Sequence, residues 1–165
     1  MSRTRISMSI VFLALATSLL QGADDVPEWA RQAIAQPVPS YPAQVTSVVL
    51  FHEEAVTVEA DGRRLMRERG AVKILQRSGE AIQAYRVYDT KNGRIRDFQG
   101  WLIPPTGKAV PYAKNRIVDV ALSQDYVYDE ARAKVLDCEA ALPGSVFVWE
   151  ISAEEKTVFT QDEYE

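Results

Sequence analysis

Residues 63–75, RRLMRERGAVKIL, carry the clearest secondary-structure signal in the chain. The odd-numbered positions are mainly basic: Arg63, Arg67, Arg69 and Lys73. The even-numbered positions become apolar toward the end, at Val72 and Ile74. Because neighbouring strand residues point to opposite faces, this alternation predicts a long antiparallel strand. Its basic face could bind an anionic partner, but acidic residues lie close in sequence (53, 54, 59 and 61), which favours a solvated strand face.

Turn signals flank this strand and recur along the chain. Asp61-Gly62 before it and Asn92-Gly93 after it are typical of tight β-hairpins. Further turns are predicted at residues 78–79, 104–107 and 142–144. The predicted strands are residues 45–51, 55–59, 63–75, 81–88, 94–103, 117–122, 126–128, 133–136 and 145–151. Since no long helical stretch separates them, the pattern predicts a mainly β fold, an antiparallel β-sandwich or open barrel.

One short helix is predicted near residues 26–36, within a helix-and-linker segment at residues 24–43. An Asp at position 24 or 25 can cap it, Pro27 suits its first turn, and Glu28 favours the positive end of the helix dipole. The helix should end before Pro37, because this proline and those at 39 and 42 cannot continue it.

The first 23 residues are predicted to form a secretory signal peptide with a signal helix. Arg3 and Arg5 make a basic start, residues 6–20 carry no charge, and small residues precede an acidic pair. The apolar run is shorter than the roughly 20 residues of a membrane span. We expect cleavage near Ala23 and a periplasmic or secreted protein without membrane contact; an uncleaved membrane anchor is the alternative.

The charge balance argues against a nucleic-acid partner. The full chain has 19 basic and 23 acidic side chains, a net charge of −4. Removing residues 1–23 removes two arginines and leaves 17 basic against 23 acidic side chains, a net charge of −6. Binding to a phosphate backbone needs clustered lysine and arginine instead.

Reactive side chains are scarce. Cys138 is the only thiol and His52 the only imidazole, which excludes a Cys/His zinc site and an intrachain disulfide. Asp137 and Glu139 flank Cys138, and negative neighbours raise a thiol pKa, the opposite of what a thiolate nucleophile needs. We therefore interpret Cys138 as a structural residue and His52 as a surface residue.

Other possible sites are equally weak. The carboxylate pairs at 24–25, 53–54 and 154–155 are sequence neighbours, which point to opposite faces of a strand and do not converge. Residues 104–108, PPTGK, lack the spacing and the Ser/Thr of a phosphate loop. Trp101 and Trp149 could stack on sugars, although core packing is favoured. We predict no catalytic, cofactor-binding or metal-ligating residue and no cofactor.

The order of five short motifs resembles the family DUF3857, a domain of unknown function that commonly precedes a transglutaminase-like domain in exported bacterial proteins. The motifs are VLFHEEAVTV (49–58), RGAVKIL (69–75), IPPTGK (103–108), YDEAR (128–132) and LPGSV with WE (142–146 and 149–150). The third has Pro-Thr where the family usually has an acid. The resemblance implies a β-rich, non-catalytic domain over residues 44–165 and carries over no catalytic residue. The enzymatic partner has Cys, His and Asp in that order, whereas here His52 precedes Cys138.

The resemblance also implies a β domain that is incomplete at its C-terminus, with an exposed sheet edge near Val158. We predict an exported, non-catalytic module that binds or positions a partner, such as a transglutaminase-like domain or a cell-envelope peptide or polymer. One alternative is a hydrolase that uses converging carboxylates or Cys138. The other is a structural envelope protein that assembles through exposed strands. The sequence leaves the ligand and the oligomeric state open.

Overall fold

The structure is a computed structural model that describes residues 26–77, 82–122, 130–139 and 141–156. The described residues form one α-helix, α1 (Glu28–Ile34), a 3-10 turn (Lys114–Arg116) and eight strands. The strands are β1 (Ser47–Val58), β2 (Arg64–Ile74), β3 (Ile82–Asp89), β4 (Gly93–Ile103), β5 (Val110–Pro111), β6 (Val118–Ala121), β7 (Ala131–Cys138) and β8 (Val146–Glu155).

The strands form two antiparallel sheets. The large sheet has the order β1-β2-β8-β4-β5, and the small sheet has the order β3-β7-β6. The predicted mainly β fold class is therefore confirmed, as is the short helix, which is α1 with narrower bounds than predicted. Pro27 is its N-cap residue, without a side-chain capping bond.

The two sheets pack against each other through large apolar side chains. Phe147, Trp149 and Ile151 of β8 face the small sheet, where they meet Ala84 and Leu136. The alternate residues of β8 point the other way, and Val146 and Val148 pack with Ala71, Trp101, the helix residue Ala30 and Val26, which precedes the helix. Because β8 is buried on both faces, its apolar residues are nearly continuous, which explains its strong sequence signal.

The connections between the strands confirm one predicted hairpin and correct another. Asp61-Gly62 joins β1 to β2 as an antiparallel pair, and Gly62 has a φ of 80°. The hairpin predicted at Asn92-Gly93 is wrong, because β3 and β4 belong to different sheets. The Asp89 side chain instead accepts hydrogen bonds from the backbone N–H of Lys91 and Asn92, and this turn carries the chain from one sheet to the other.

The first strand also differs from its prediction. Residues 52–54 were expected to interrupt it, yet β1 continues through them with one irregularity between Val49 and Phe51. These charged residues are tolerated because β1 lies at the edge of the large sheet and pairs with β2 alone. Each charged side chain therefore reaches either solvent or an ion-pair partner.

Several predictions fall outside the described residues: the signal peptide with its cleavage near Ala23, the turn at 78–79, the strand at 126–128 and the sheet edge near Val158. Within the part of the chain that the structure describes, no helix is long and apolar enough to cross a membrane.

Candidate functional site: a polar cleft between the sheets

A cleft opens at the side of the sandwich where the edge strands β1 and β3 lie. Its volume is about 510 Å³. The large sheet contributes His52 and Glu54 from β1, Glu68 from β2 and Trp149 from β8, and the small sheet contributes residues 83–87 of β3. The cleft thus contains the only imidazole of the chain and two carboxylates that are distant in sequence.

The β1–β2 register brings the two carboxylates together. Glu54 and Glu68 are direct cross-strand partners, and like charges in this position repel each other. Arg86 of β3 relieves the repulsion from the facing sheet. Its Nη1 lies 2.9 Å from Glu54 Oε1 and 3.6 Å from Glu68 Oε2. The guanidinium therefore ties the two sheets together through both carboxylates.

Glu68 is at the centre of the cluster. Its Oε1 accepts a hydrogen bond from Trp149 Nε1 at 3.4 Å and lies 3.4 Å from His52 Nε2. Its side chain is 16% exposed, whereas that of His52 is 53% exposed. Two carboxylates face one guanidinium here, an excess of negative charge that favours a cationic ligand.

The sequence left open that distant carboxylates converge, but no local pattern identified Glu54 and Glu68 as the pair. Glu54 and Glu68 are equally far from the centre of the 59–63 turn, and residues so placed pair across a two-stranded hairpin. Asp61-Gly62 taken as a two-residue turn would instead place Glu54 opposite Arg69. The observed turn is one residue longer, since the backbone N–H of Glu59 donates to the carbonyl of Arg63, and this pairs Glu54 with Glu68. The adjacent pair Glu53 and Glu54 does diverge as expected, since Glu53 pairs with Arg69 on the opposite face from Glu54.

Cys138 lies elsewhere, in the core between the sheets. Burial raises the pKa of its thiol, which opposes formation of the nucleophilic thiolate. Cys138 does not line the cleft that contains His52. The structure therefore does not bring the two reactive side chains together. Trp101 and Trp149 are also mainly buried, at 3% and 7% exposure.

The basic face of β2 is largely occupied by other residues of the chain. Arg69 pairs with Glu53 and lies 5.3 Å from the ring centre of Trp29. Arg63 Nη1 lies 2.9 Å from Glu154 Oε1, and Glu154 also binds Arg94 and Arg96. The hydrogen bonds from these guanidinium groups, that of Arg63 first, lower the pKa of Glu154 to about 2. This face is therefore less available to an anionic partner than its sequence indicates.

Across the described ranges, no group of three or more His, Cys, Asp and Glu side chains could hold a metal ion. The cleft has three candidate donors, His52, Glu54 and Glu68, but Arg86 lies between the two carboxylates. The arrangement suits ionic and hydrogen-bonded recognition of a ligand.

These features define a class of two-sheet antiparallel β domain with an ion-paired lateral cleft and a buried thiol. A family model confirms the resemblance: DUF3857, described as a Domain of Unknown Function, matches residues 60–165. The chain therefore belongs to the DUF3857 family.

A solved structure shares the fold. It is the crystal structure of a "putative protease" from Parabacteroides distasonis ATCC 8503, with a TM-score of 0.57 and 15% sequence identity. The match covers 70% of this chain and 24% of that one. The likeness at this identity is one of fold alone. No curated protein matches the chain.

Proposed function

We propose that this protein is an exported, non-catalytic β-sandwich module that binds or positions a partner, and that the cleft between the sheets is its binding surface. The observation that carries the proposal is the composition of the cleft. It combines an open, charged wall of the large sheet with an edge strand of the small sheet, while the only thiol lies in the core. The signal-peptide pattern of residues 1–23 supports export.

The proposed partner is a transglutaminase-like domain or a cell-envelope peptide or polymer. The DUF3857 resemblance supports the first, because this family commonly precedes such a domain. The similar solved structure is compatible with it, since the match covers 24% of a longer chain that is described as a putative protease. The excess negative charge of the cleft supports a partner with basic groups.

A second candidate function is a hydrolase that uses Glu54 and Glu68. The observation that favours it is their direct pairing across β1 and β2, with both side chains in one cleft. Against it stands Arg86, whose guanidinium hydrogen-bonds Glu54 and lies close to Glu68, between the carboxylates where a substrate would have to enter.

The test is an activity and binding comparison on the exported chain, purified from the periplasm or medium of an expressing bacterium. We expect no hydrolysis of peptides or cell-wall glycan, but measurable binding to a transglutaminase-like domain or to soluble cell-wall peptides. Hydrolysis that is lost in Glu68→Gln or Cys138→Ser, but retained in Glu53→Gln, would overturn the proposal in favour of an enzyme. An absence of both hydrolysis and binding would also overturn it.

A further inference from the structure

We propose that the cleft binds an extended peptide of another protein, which adds to the edge of β3 as a further strand of the small sheet and places a basic side chain against Glu54 and Glu68. This inference rests on the proposed function, because it gives the chemical class of the partner. It combines three observations: a strand edge without a partner among the described residues, its orientation toward the cleft, and the charge of the facing wall.

The first observation is that β3 is an edge strand among the described residues. Every residue of Ile82–Asp89 is in register with β7, and β3 is the first strand in the order β3-β7-β6. No described residue pairs with the other side of β3. Alternate N–H and C=O groups of an edge strand point away from its neighbour and are available to an incoming strand.

The second observation is that this edge borders the cleft. The lining contributed by β3 is the unbroken run 83–87, whereas β1 contributes the alternate residues His52 and Glu54. Successive side chains of a strand point to opposite faces. A strand that lines a cleft with consecutive residues therefore presents its edge to the cleft. A strand that lines a cleft with alternate residues presents one of its faces. Five strand residues extend for about 17 Å, enough for a peptide of similar length.

The third observation concerns the residues of this chain that would surround the two faces of an added strand. Its inward side chains would lie beside Arg86 and face Glu54 and Glu68, where negative charge is in excess. Its outward side chains would lie beside Tyr85 and Val87, which are 59% and 43% exposed. The matching peptide therefore alternates basic and apolar residues. Backbone bonds to a strand edge give affinity in this binding mode, and alternate side chains give specificity.

The probe is a capped synthetic peptide, acetyl-Val-Lys-Val-Lys-Val-amide, titrated into the exported chain by calorimetry. We expect one peptide per chain. Glu68→Gln and Glu54→Gln should each weaken binding by about threefold to tenfold, as expected for partly exposed charge pairs. Glu53→Gln is the matched control, since it makes the same charge change at the neighbouring position on the other face of β1, and should bind as the wild type does. Should Glu68→Gln unfold the chain, Glu54→Gln, at a more exposed position, still decides the question.

Two measurements test the strand pairing itself. Hydrogen exchange should slow at alternate amides of residues 82–89 when the peptide is added and should not change in β1 or β6. N-methylation of the peptide nitrogens that face β3 should abolish binding, whereas N-methylation of the alternate nitrogens should preserve it. The reason is that a strand uses only every second N–H toward its neighbour.

The outcomes are distinguishable from those of the proposed function. Binding that is insensitive to Glu54→Gln and Glu68→Gln, or protection in a strand other than β3, overturns this inference. So does a concentration-dependent dimer with protected β3, because a second copy would then occupy the edge. If the peptide does not bind while a transglutaminase-like domain or a cell-wall peptide does, the inference fails and the proposed function stands. Cleavage of the peptide at a rate that depends on Glu68 would overturn both.

Discussion

A glycine determines how the central carboxylate of the cleft is held. Gly70 and Trp149 are cross-strand partners, and the indole lies directly against the Cα of Gly70. Any Cβ at position 70 would overlap the six-membered ring of Trp149. The absence of a side chain therefore lets the indole lie flat on β2 and donate its N–H to Glu68.

Gly70→Ala should lower the free energy of unfolding by about 2–3 kcal/mol, because the rigid indole has to move out of a packed core. Urea denaturation measures the loss. Gly107→Ala is the matched control: Gly107 has a φ of 89° and no atom near the added Cβ, so it reports backbone strain without overlap, and should lose about 1 kcal/mol. Equal losses in the two variants would contradict the role given to Trp149.

The positions of some single residues could be predicted from the sequence, and those of others could not. The burial of Trp101 and Trp149 was predicted, because large aromatic side chains in β segments usually pack in a core. The Asp61-Gly62 signal indicates that β1 and β2 pair, but the facing of Glu54 and Glu68 depends on a turn of three residues rather than two, which the dipeptide does not specify. The position of Arg86 opposite these carboxylates could not have been predicted. It depends on how the two sheets pack, and the chain passes from one sheet to the other at a turn whose sequence predicts a hairpin within one sheet.

Among the elements, the short helix depends on one aromatic residue. Helix α1 has seven residues, too few to be stable alone. Trp29 anchors it to the large sheet: its ring centre lies 5.2 Å from that of Phe51, and its Nε1 donates to Glu150 Oε2 at 3.1 Å. The guanidinium of Arg69 lies over the same ring. Tertiary contact thus holds a segment whose own propensity is weak.

Trp29→Ala should therefore lower the free energy of unfolding by about 2–3 kcal/mol and release α1 from the sheet. Faster hydrogen exchange of the amides in residues 28–34 would report the release. Trp29→Phe should recover most of the stability, because it keeps the ring and loses only the N–H. A Trp29→Ala variant as stable as the wild type, with unchanged exchange in α1, would show that this contact does not hold the helix.

Strand positions were more predictable than strand neighbours. Apolar alternation and turn residues are local, and they located most strands and the Asp61-Gly62 hairpin. The order β1-β2-β8-β4-β5 rests on pairs such as Arg64 with Glu155, which no local pattern specifies. The same limit explains the wrong hairpin at Asn92-Gly93: an Asn-Gly pair marks a reversal, but the packing of the strands determines whether they stay in one sheet.

For the whole molecule, the Glu154 cluster connects the far ends of three strands. The carboxylate of β8 binds Arg63 beside the start of β2, and Arg94 and Arg96 of β4. Glu154 therefore links β8, the central strand of the large sheet, to the neighbouring strands β2 and β4 at the end opposite α1. Several guanidinium groups share one carboxylate, so its ionisation affects the sheet as a unit.

This arrangement predicts a pH dependence of stability. The pKa of Glu154 falls from 4.5 to about 2 on folding, so its contribution is fully present above pH 4.5 and disappears as the pH falls toward 2. Glu154→Gln should therefore be less stable than the wild type at neutral pH, and the difference should shrink between pH 4.5 and pH 2. Chemical denaturation of both proteins across this range measures it. A difference that stays constant with pH would show that the loss comes from packing rather than charge.

The central place of β8 has a consequence for how the chain acquires its structure. This strand comes last among those described, yet the large sheet needs it between β2 and β4. While the polypeptide emerges from a ribosome, the β1–β2 hairpin and β4 have no shared neighbour until residues 146–155 appear. Such distant pairing slows folding, and the large sheet can assemble only after that last segment has been synthesised.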